Sequence, residues 1–260
     1  MVIPYPYPHI VIEDALDEEV YNQLEENFPA DERFAPGHKL QSNVRYNMPA
    51  AQCLTPSANA TLPDVWLDFV RYHSSPDFYR EVADLFGSLL PHFRRDLKVL
   101  RSDMHRVRTA VRGWEKNVTD ISLEAQIAIN SPVKKESSVR RAHYDDPAEI
   151  YAGLLYFRHD NDTSKGGDLE VYKCKGRCRK ATERQAKRLG LRSSQKEFFA
   201  PNTLQRTNVV RYAKNVFVLF INSVKSLHGV TKRGVTRFSR RIVNFTAQVR
   251  AGMVKQAPRG

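Results

Sequence analysis

From residue 121 onward the chain breaks into short apolar runs separated by turn residues, and this texture confines it to a β-rich fold. Residues 121–129 alternate, 150–157 form a continuous apolar run, and 168–172, 208–212, 215–222, 227–230 and 240–249 follow as further strands. The segment 132–138 reads as a charged turn, and 138–143 reads as one more strand. Residues 158–167 are rich in Asn, Asp, Ser and Gly, the residues of turns. Many short strands in succession cannot make a helical bundle. They point to a β-sandwich or barrel, with the continuous run 150–157 covered on both faces.

The first 120 residues read differently. A short apolar strand at 9–13 precedes Asp17, a candidate N-cap, and a helix whose apolar positions Val20, Leu24 and Phe28 lead to Pro29. Residues 30–62 are irregular, with a possible strand at 42–46. Two helices follow, with stripes Val65, Phe69, Tyr72 and Phe78, Val82, Leu85, Phe86, split at Pro76. Their aromatic residues are most simply core, packed against a sheet. No internal repeat or linker divides the chain, so one domain is expected over 1–260. Within it, 1–120 is mainly helical support, 121–249 the β core and 250–260 a frayed tail.

With 41% apolar residues the chain can bury a substantial core. The longest apolar run near the end, 216–221, is far too short to span a bilayer, so no membrane partner is expected. The first residues lack the basic start and apolar core of a signal peptide, and a cytoplasmic location is expected. The three cysteines, Cys53, Cys174 and Cys178, make neither a disulfide framework nor a zinc set, and free thiols are expected. Of the formal charge of +12, the segment 173–192 alone carries +8, from nine Lys or Arg and one acid, Glu183. The positive charge is local and needs a local explanation.

Two short motifs carry the chemistry. His143-Tyr-Asp145 places an imidazole and a carboxylate on one face of an extended segment, because side chains alternate with a period of two. His228 lies far along the chain and supplies a second imidazole. Two imidazoles and one carboxylate form the facial set that suits non-haem Fe(II) and leaves coordination positions open. Nine residues beyond His228 comes Arg237, a planar fork suited to a carboxylate, with the Ser239 hydroxyl two residues on. Each piece also has a plain reading: His-X-Asp as an ordinary polar strand end, Arg237 as one more surface cation. Asp146 competes with Asp145 but points to the opposite face and is assigned to a turn.

These residues, in this order and on these strands, resemble the Fe(II)- and 2-oxoglutarate-dependent dioxygenases, in the branch of prolyl hydroxylase-like enzymes. The resemblance rests on His143-Tyr-Asp145, on Gly166-Gly167-Asp168-Leu-Glu-Val-Tyr172, on the run 216–222, and on His228-Gly-Val with Arg237-Phe-Ser239. It implies an α+β, mainly β chain with a double-stranded β-helix, or jelly-roll, core backed by the N-terminal helices. It also implies iron ligation by His143, Asp145 and His228. The distal carboxylate of 2-oxoglutarate would be held by Arg237 and Ser239, with Tyr156 either a further contact or core. Gln126 and Asn130, on one face of the preceding strand, are further candidates for contacts to 2-oxoglutarate or substrate. The implied reaction consumes O2 and 2-oxoglutarate, releases succinate and CO2, and hydroxylates an unactivated C–H bond. Asp145 favours hydroxylation over halogenation, since halogenating relatives typically lack this carboxylate.

The roughly thirty residues 173–207 make a longer connection than many members have. A basic lid there would steer a small, polar or anionic substrate. A solvated excursion with no such role, and a contact to a nucleic acid or peptide, are the alternatives. A catalytically silent jelly-roll module that docks an acidic partner through 173–192 is the competing reading outside enzymes.

Overall fold

The computed structural model describes residues 1–55, 62–97, 100, 106–116, 118–176, 178 and 199–250. In chain order, β1 (His9–Ile12) is followed by α1 (Glu18–Glu26), β2 (Arg45–Met48), α2 (Ala50–Cys53), α3 (Asp64–His73), α4 (Pro76–Phe86), α5 (Leu89–Phe93) and β3 (Thr109–Val111). The β-rich part then runs β4 (Ile121–Asn130), β5 (Glu149–Tyr156), β6 (Leu169–Cys174), β7 (Leu204–Val210), β8 (Phe217–Ile221), β9 (Leu227–Val230) and β10 (Arg240–Val249). The helices begin where local chemistry allows. The Asp17 side chain accepts from Glu19 N at 3.0 Å ahead of α1, and Ser75 caps α4 by accepting from Phe78 N at 3.3 Å, with Pro76 as its first residue.

Two sheets form. The larger has the order β1-β8-β5-β10-β4-β2, with β3 pairing beside β4, and the smaller has the order β7-β6-β9. Successive strands of the β-rich part alternate between them: β4 and β5 lie in the large sheet, β6 and β7 in the small one, and β8, β9 and β10 in large, small and large. This is the winding of a double-stranded β-helix. The expected strand at 138–143 is the exception. Its place beside β9 is held by isolated bridges, Ser137 to Arg233 and His143 to His228. The prolyl and charged residues that open this segment, Pro132 and Lys134-Lys135-Glu136, suit a chain that leaves the ladder between bridges.

The large sheet has two faces of opposite character. Val243, Phe245 and Ala247 of β10, with Tyr151 and Leu155 of β5 and Leu219 and Ile221 of β8, pack into one core with the helices. Trp66, fully buried, centres that core. Its indole donates to Leu24 O at 3.1 Å and its ring meets Phe28 and Phe157 at 5.4 Å. Truncating such a side chain costs about 3–5 kcal/mol. The opposite face of the sheet looks toward β6 and β9 and lines the cavity described below.

Several expectations shift by one position or one element. Val20, Tyr72 and Leu85 are exposed, and Tyr21 takes the buried place on α1. Helical faces here drift with the 3.6-residue turn, so an i, i+4 pattern alone misplaces its edges. The strand expected at 208–212 lies at Leu204–Val210, and that expected at 42–46 lies at Arg45–Met48. The first 120 residues also contribute more than helices, since β1, β2 and β3 all join the large sheet. Cys174 and Cys178 are paired in a disulfide rather than free. The end of β6 turns back there, with Lys175 N on Thr203 O at 2.9 Å, and brings the two Cα atoms to 5.3 Å, within bridging range. Cys53 is a buried thiol outside any disulfide, its Sγ donating to Met48 O at 3.7 Å. The expected helix at 181–189 and the tail from 251 lie outside the described residues. Among the described residues no helix is long and apolar enough to cross a membrane.

His73 closes α3 against the sheet, 4.0 Å from the Phe69 ring, 4.8 Å from Phe78 and 5.2 Å from Phe245 of β10. Burial pushes its pKa from the usual 6.5 down to about 4. The unfolded chain therefore takes up a proton on His73 below pH 6.5 that the folded chain refuses, and stability falls as pH drops from 6.5 toward 4. Urea midpoints at pH 7 and pH 5 should show a smaller fall in His73→Leu than in the wild type. Equal falls in the two proteins would contradict this account.

Candidate metal centre and its cavity

His143 and His228 come from segments 85 residues apart in sequence and are joined through their backbones. His143 N donates to His228 O at 2.8 Å, and His228 N donates to His143 O at 2.9 Å. The next residue along β9 is Gly229, and a Cβ placed there would lie 3.0 Å from Ala142 N and 3.2 Å from the Arg141 carbonyl carbon. A side chain there would need the two ligand-bearing segments to move apart by a few tenths of an ångström.

The loop that carries Asp145 is pinned from behind. Asn222 donates through Nδ2 to Asp146 O at 2.7 Å and to Glu149 O at 3.1 Å. Arg94, 1% exposed, donates to the carbonyls of Pro147, Glu149 and Asn222 and pairs with Asp96 at 2.8 Å. Asp146 closes the turn by accepting from Ala148 N at 2.9 Å, so it stands apart from the ligand set. Arg94 carried no signal in the sequence, because its partners are backbone carbonyls far along the chain.

The result is a compact donor set. Asp145 lies with Oδ1 3.3 Å from His143 Nε2 and Oδ2 3.3 Å from His228 Nε2, and the two imidazole centroids are 4.3 Å apart. One donor atom from each of the three residues falls within 4.8 Å of the others, the only such group of His, Cys, Asp or Glu found among the described residues. Adjacent ligands on an octahedral ion with bonds of ~2.1 Å are roughly 3 Å apart, so these spacings suit one cation. Both Nδ1 atoms face backbone carbonyls two residues earlier: His143 to Arg141 O at 2.6 Å and His228 to Ser226 O at 3.0 Å. Donation from Nδ1–H assigns the tautomer and leaves each Nε2 lone pair turned toward the carboxylate.

The electrostatics prepare the same site. Burial, with His228 beside it, holds the His143 pKa down at about 4, so the imidazole stays neutral. Burial alone would raise the Asp145 carboxyl, but the neighbouring histidines hold it well below the ordinary range and it is ionised. A neutral imidazole at His143 and an ionised carboxylate at Asp145 are states that bind a divalent cation.

The donor set opens on a cavity of about 490 Å³ between the two sheets, lined by Gln126, Asn130, Leu154, Leu169, Asn244 and Arg240, among others. Burial and the charge of Asp145 raise Glu149, also in its wall, to about 7. Gln126 and Asn130 are thus both brought to the cavity. Arg237 and Ser239 are not. Arg237 is exposed with its guanidinium over the Phe238 ring at 5.1 Å, and Ser239 is buried against Asp31, to which its hydroxyl donates.

Arg240 occupies the cavity instead. It is 2% exposed, with Nε on Gly167 O at 2.7 Å and Nη1 on Asn130 Oδ1 at 3.2 Å, and its guanidinium lies 4.9 Å from the Tyr156 ring. Tyr156 is fully buried, and burial raises its phenol to about 12. Neither Tyr156 Oη nor Arg240 Nη2 has a hydrogen-bond partner. The Gly166-Gly167 pair explains part of this arrangement. Both residues have positive φ, 80° and 84°, and a Cβ on Gly166 would fall 1.8 Å from Lys232 O, so the chain can turn and offer the Gly167 carbonyl to Arg240. Asp168 holds the turn, accepting from Tyr212 N at 2.9 Å.

No family model matches the chain, and no curated protein matches it in sequence. Solved structures do resemble it at low identity. One is a Pseudomonas putida prolyl-4-hydroxylase, at 13% identity and a TM-score of 0.43, over 94% of this chain and 93% of that one. A second is a prolyl 4-hydroxylase from Phytophthora capsici, at 14% and 0.45; 95% of this chain is aligned, spanning 61% of that one. A third is HygX from Streptomyces hygroscopicus, solved with nickel and 2-oxoglutarate, at 14% and 0.41, over 94% and 83%.

Two variants test the centre without reference to any reaction. Asp145→Ala should abolish tight binding of one equivalent of Fe(II) or Mn(II), measured by anaerobic calorimetry. Gly229→Ala should weaken it about ten- to hundredfold by forcing the two histidine segments apart, the scale seen when ligand support is lost. Wild-type affinity in Asp145→Ala would show that the metal binds elsewhere.

Proposed function

We propose that the protein is a non-haem Fe(II)- and 2-oxoglutarate-dependent oxygenase that hydroxylates an unactivated C–H bond of a small molecule, releasing succinate and CO2. The observation that carries this reading is the His143, Asp145, His228 donor set at the wall of a cavity that also presents Arg240, whose buried Nη2 has no partner and whose guanidinium lies 4.9 Å from the ring of the buried Tyr156. Two imidazoles and a carboxylate suit Fe(II) and leave positions free for a keto acid and O2. A guanidinium and a phenol with idle N–H and O–H groups suit a carboxylate, and a buried donor left unpaired costs about 1–3 kcal/mol until a partner arrives.

In this reading His143, Asp145 and His228 hold the metal, which when loaded supplies the oxygen chemistry. Arg240 takes the distal carboxylate of 2-oxoglutarate, with Tyr156 donating beside it, in the place that the sequence reading gave to Arg237 and Ser239. Asn130 orients Arg240 through its Oδ1, and Gln126, on the same strand face, also lines the cavity. Leu154 and Leu169 exclude water from the cosubstrate's carbon chain. A cavity of this size suits a small substrate. The intact ligand set argues against a catalytically silent binding module.

The wild type, loaded anaerobically with Fe(II) and 2-oxoglutarate, should develop the visible charge-transfer band of a bound keto acid and release succinate once air is admitted. Arg240→Gln should raise the 2-oxoglutarate requirement roughly ten- to hundredfold, the worth of one charge-assisted hydrogen bond, while Arg237→Gln leaves it within about twofold. The opposite ranking would return the cosubstrate to Arg237. Absence of both band and succinate would reject the oxygenase reading.

A further inference from the structure

The cavity wall holds more positive charge than its metal and cosubstrate would consume. Its charged members are four arginines, Arg45, Arg112, Arg140 and Arg240, against two carboxylates, Asp145 and Glu149. A divalent metal and the dianion 2-oxoglutarate cancel one another and leave that excess of two untouched. Pairing off the charges locates it. Arg112 has Glu149, at 3.6 Å, and Thr246 Oγ1, on which its Nη2 donates at 2.9 Å. Arg240 is assigned to the cosubstrate. Arg140, with its side chain 57% exposed, pairs with Asp145 at 3.5 Å, and a metal would claim that carboxylate.

Arg45 stands out most clearly. Its Nε donates to Asn47 Oδ1 at 2.8 Å, a neutral partner on its own strand, while its Nη2 is buried without a partner. The charges that depress its pKa, after burial itself, are those of Arg240 and Arg140. In the sheet, Arg45 of β2 and Arg240 of β10 flank Asn130 of β4 on either side. Two interstrand spacings, roughly 9.6 Å, separate their backbones. Arg240 is tied down to Asn130 and Gly167, and Arg45 is turned along its strand to Asn47, so the two forks address different points of the cavity.

We infer that Arg45, with Arg140, forms an anion subsite for the primary substrate, which is therefore a small molecule bearing a carboxylate or phosphate group. This deepens the oxygenase reading and rests on it for the assignment of Arg240 to 2-oxoglutarate. The subsite is built from a strand of the N-terminal region and from the segment leading into His143, so it places the anionic end of a substrate beside the metal. A half-buried guanidinium whose inner N–H is idle gains most from an ionised oxygen, which supplies both the missing acceptor and the missing charge.

Anaerobic calorimetry on the full chain loaded with Fe(II) and saturated with 2-oxoglutarate tests this, with inorganic phosphate and acetate as separate probes. One equivalent of at least one anion should bind, and the stronger of the two tells a phosphate-bearing from a carboxylate-bearing substrate. Arg45→Gln and Arg140→Gln should each weaken that binding about tenfold or more and change 2-oxoglutarate affinity less than about twofold. Arg45→Lys, which keeps the charge but loses the fork, should fall between. Three results would overturn the proposal: neither anion binds saturably, Arg45→Gln binds both as the wild type does, or Arg45→Gln weakens 2-oxoglutarate as strongly as Arg240→Gln. If the chain binds no 2-oxoglutarate at all, the oxygenase reading fails. The same titration on the metal-loaded chain then still decides whether Arg45 holds an anion.

Discussion

Everything at the centre of this fold depends on two imidazoles being held side by side around one carboxylate. Two buried imidazoles beside a half-buried carboxylate are costly unless each is oriented by other bonds. The backbone supplies that orientation. Each histidine gives its Nδ1–H to a carbonyl two residues back, and the two histidine residues exchange backbone hydrogen bonds with one another. The same economy extends outward, since Arg94 and Asn222 spend their donors on the carbonyls of the loop that carries Asp145. A rigid donor set follows, able to meet a cation with little rearrangement.

The large sheet divides the labour. One face is sealed by helices through Trp66, Phe28 and the aromatic residues of α3 and α4, and the other presents polar residues to the cavity. β10 shows both roles in one strand: Val243, Phe245 and Ala247 belong to the helical core, while Arg240, Asn244 and Thr246 look into the cavity. Stability and chemistry are therefore carried by alternate residues of the same strands. A substitution on one face can be read largely apart from the other.

That alternation also explains what was legible in the sequence. The strands of the β-rich half and the His143, Asp145, His228 set were readable because period-two patterns and ligand chemistry are local signals. Arg237 and Ser239 drew attention as an Arg-X-Ser pair, yet they precede β10 and lie outside the cavity. Arg240 shares its parity with Asn244 and Thr246, the polar face of an otherwise apolar strand, and that parity was the available signal. Arg45, Arg94 and Arg112 left no such trace. Arg45 bonds to Asn47 of its own strand and meets Arg140 and Arg240 only in the cavity wall, while Arg94 and Arg112 act through partners dozens of residues away, so only the folded chain reveals any of the three. The basic segment 173–192 was the expected source of selectivity for anions. The described residues place a second source inside the cavity itself.

The account stands or falls on the identity of the atoms around the metal. X-ray absorption at the iron edge of the anaerobic Fe(II) protein measures them directly. Two imidazole ligands with oxygen donors completing the shell are predicted, and adding 2-oxoglutarate should replace weakly held oxygen donors without removing either imidazole. A shell with no imidazole scattering, or a spectrum unchanged in Asp145→Ala, would contradict it.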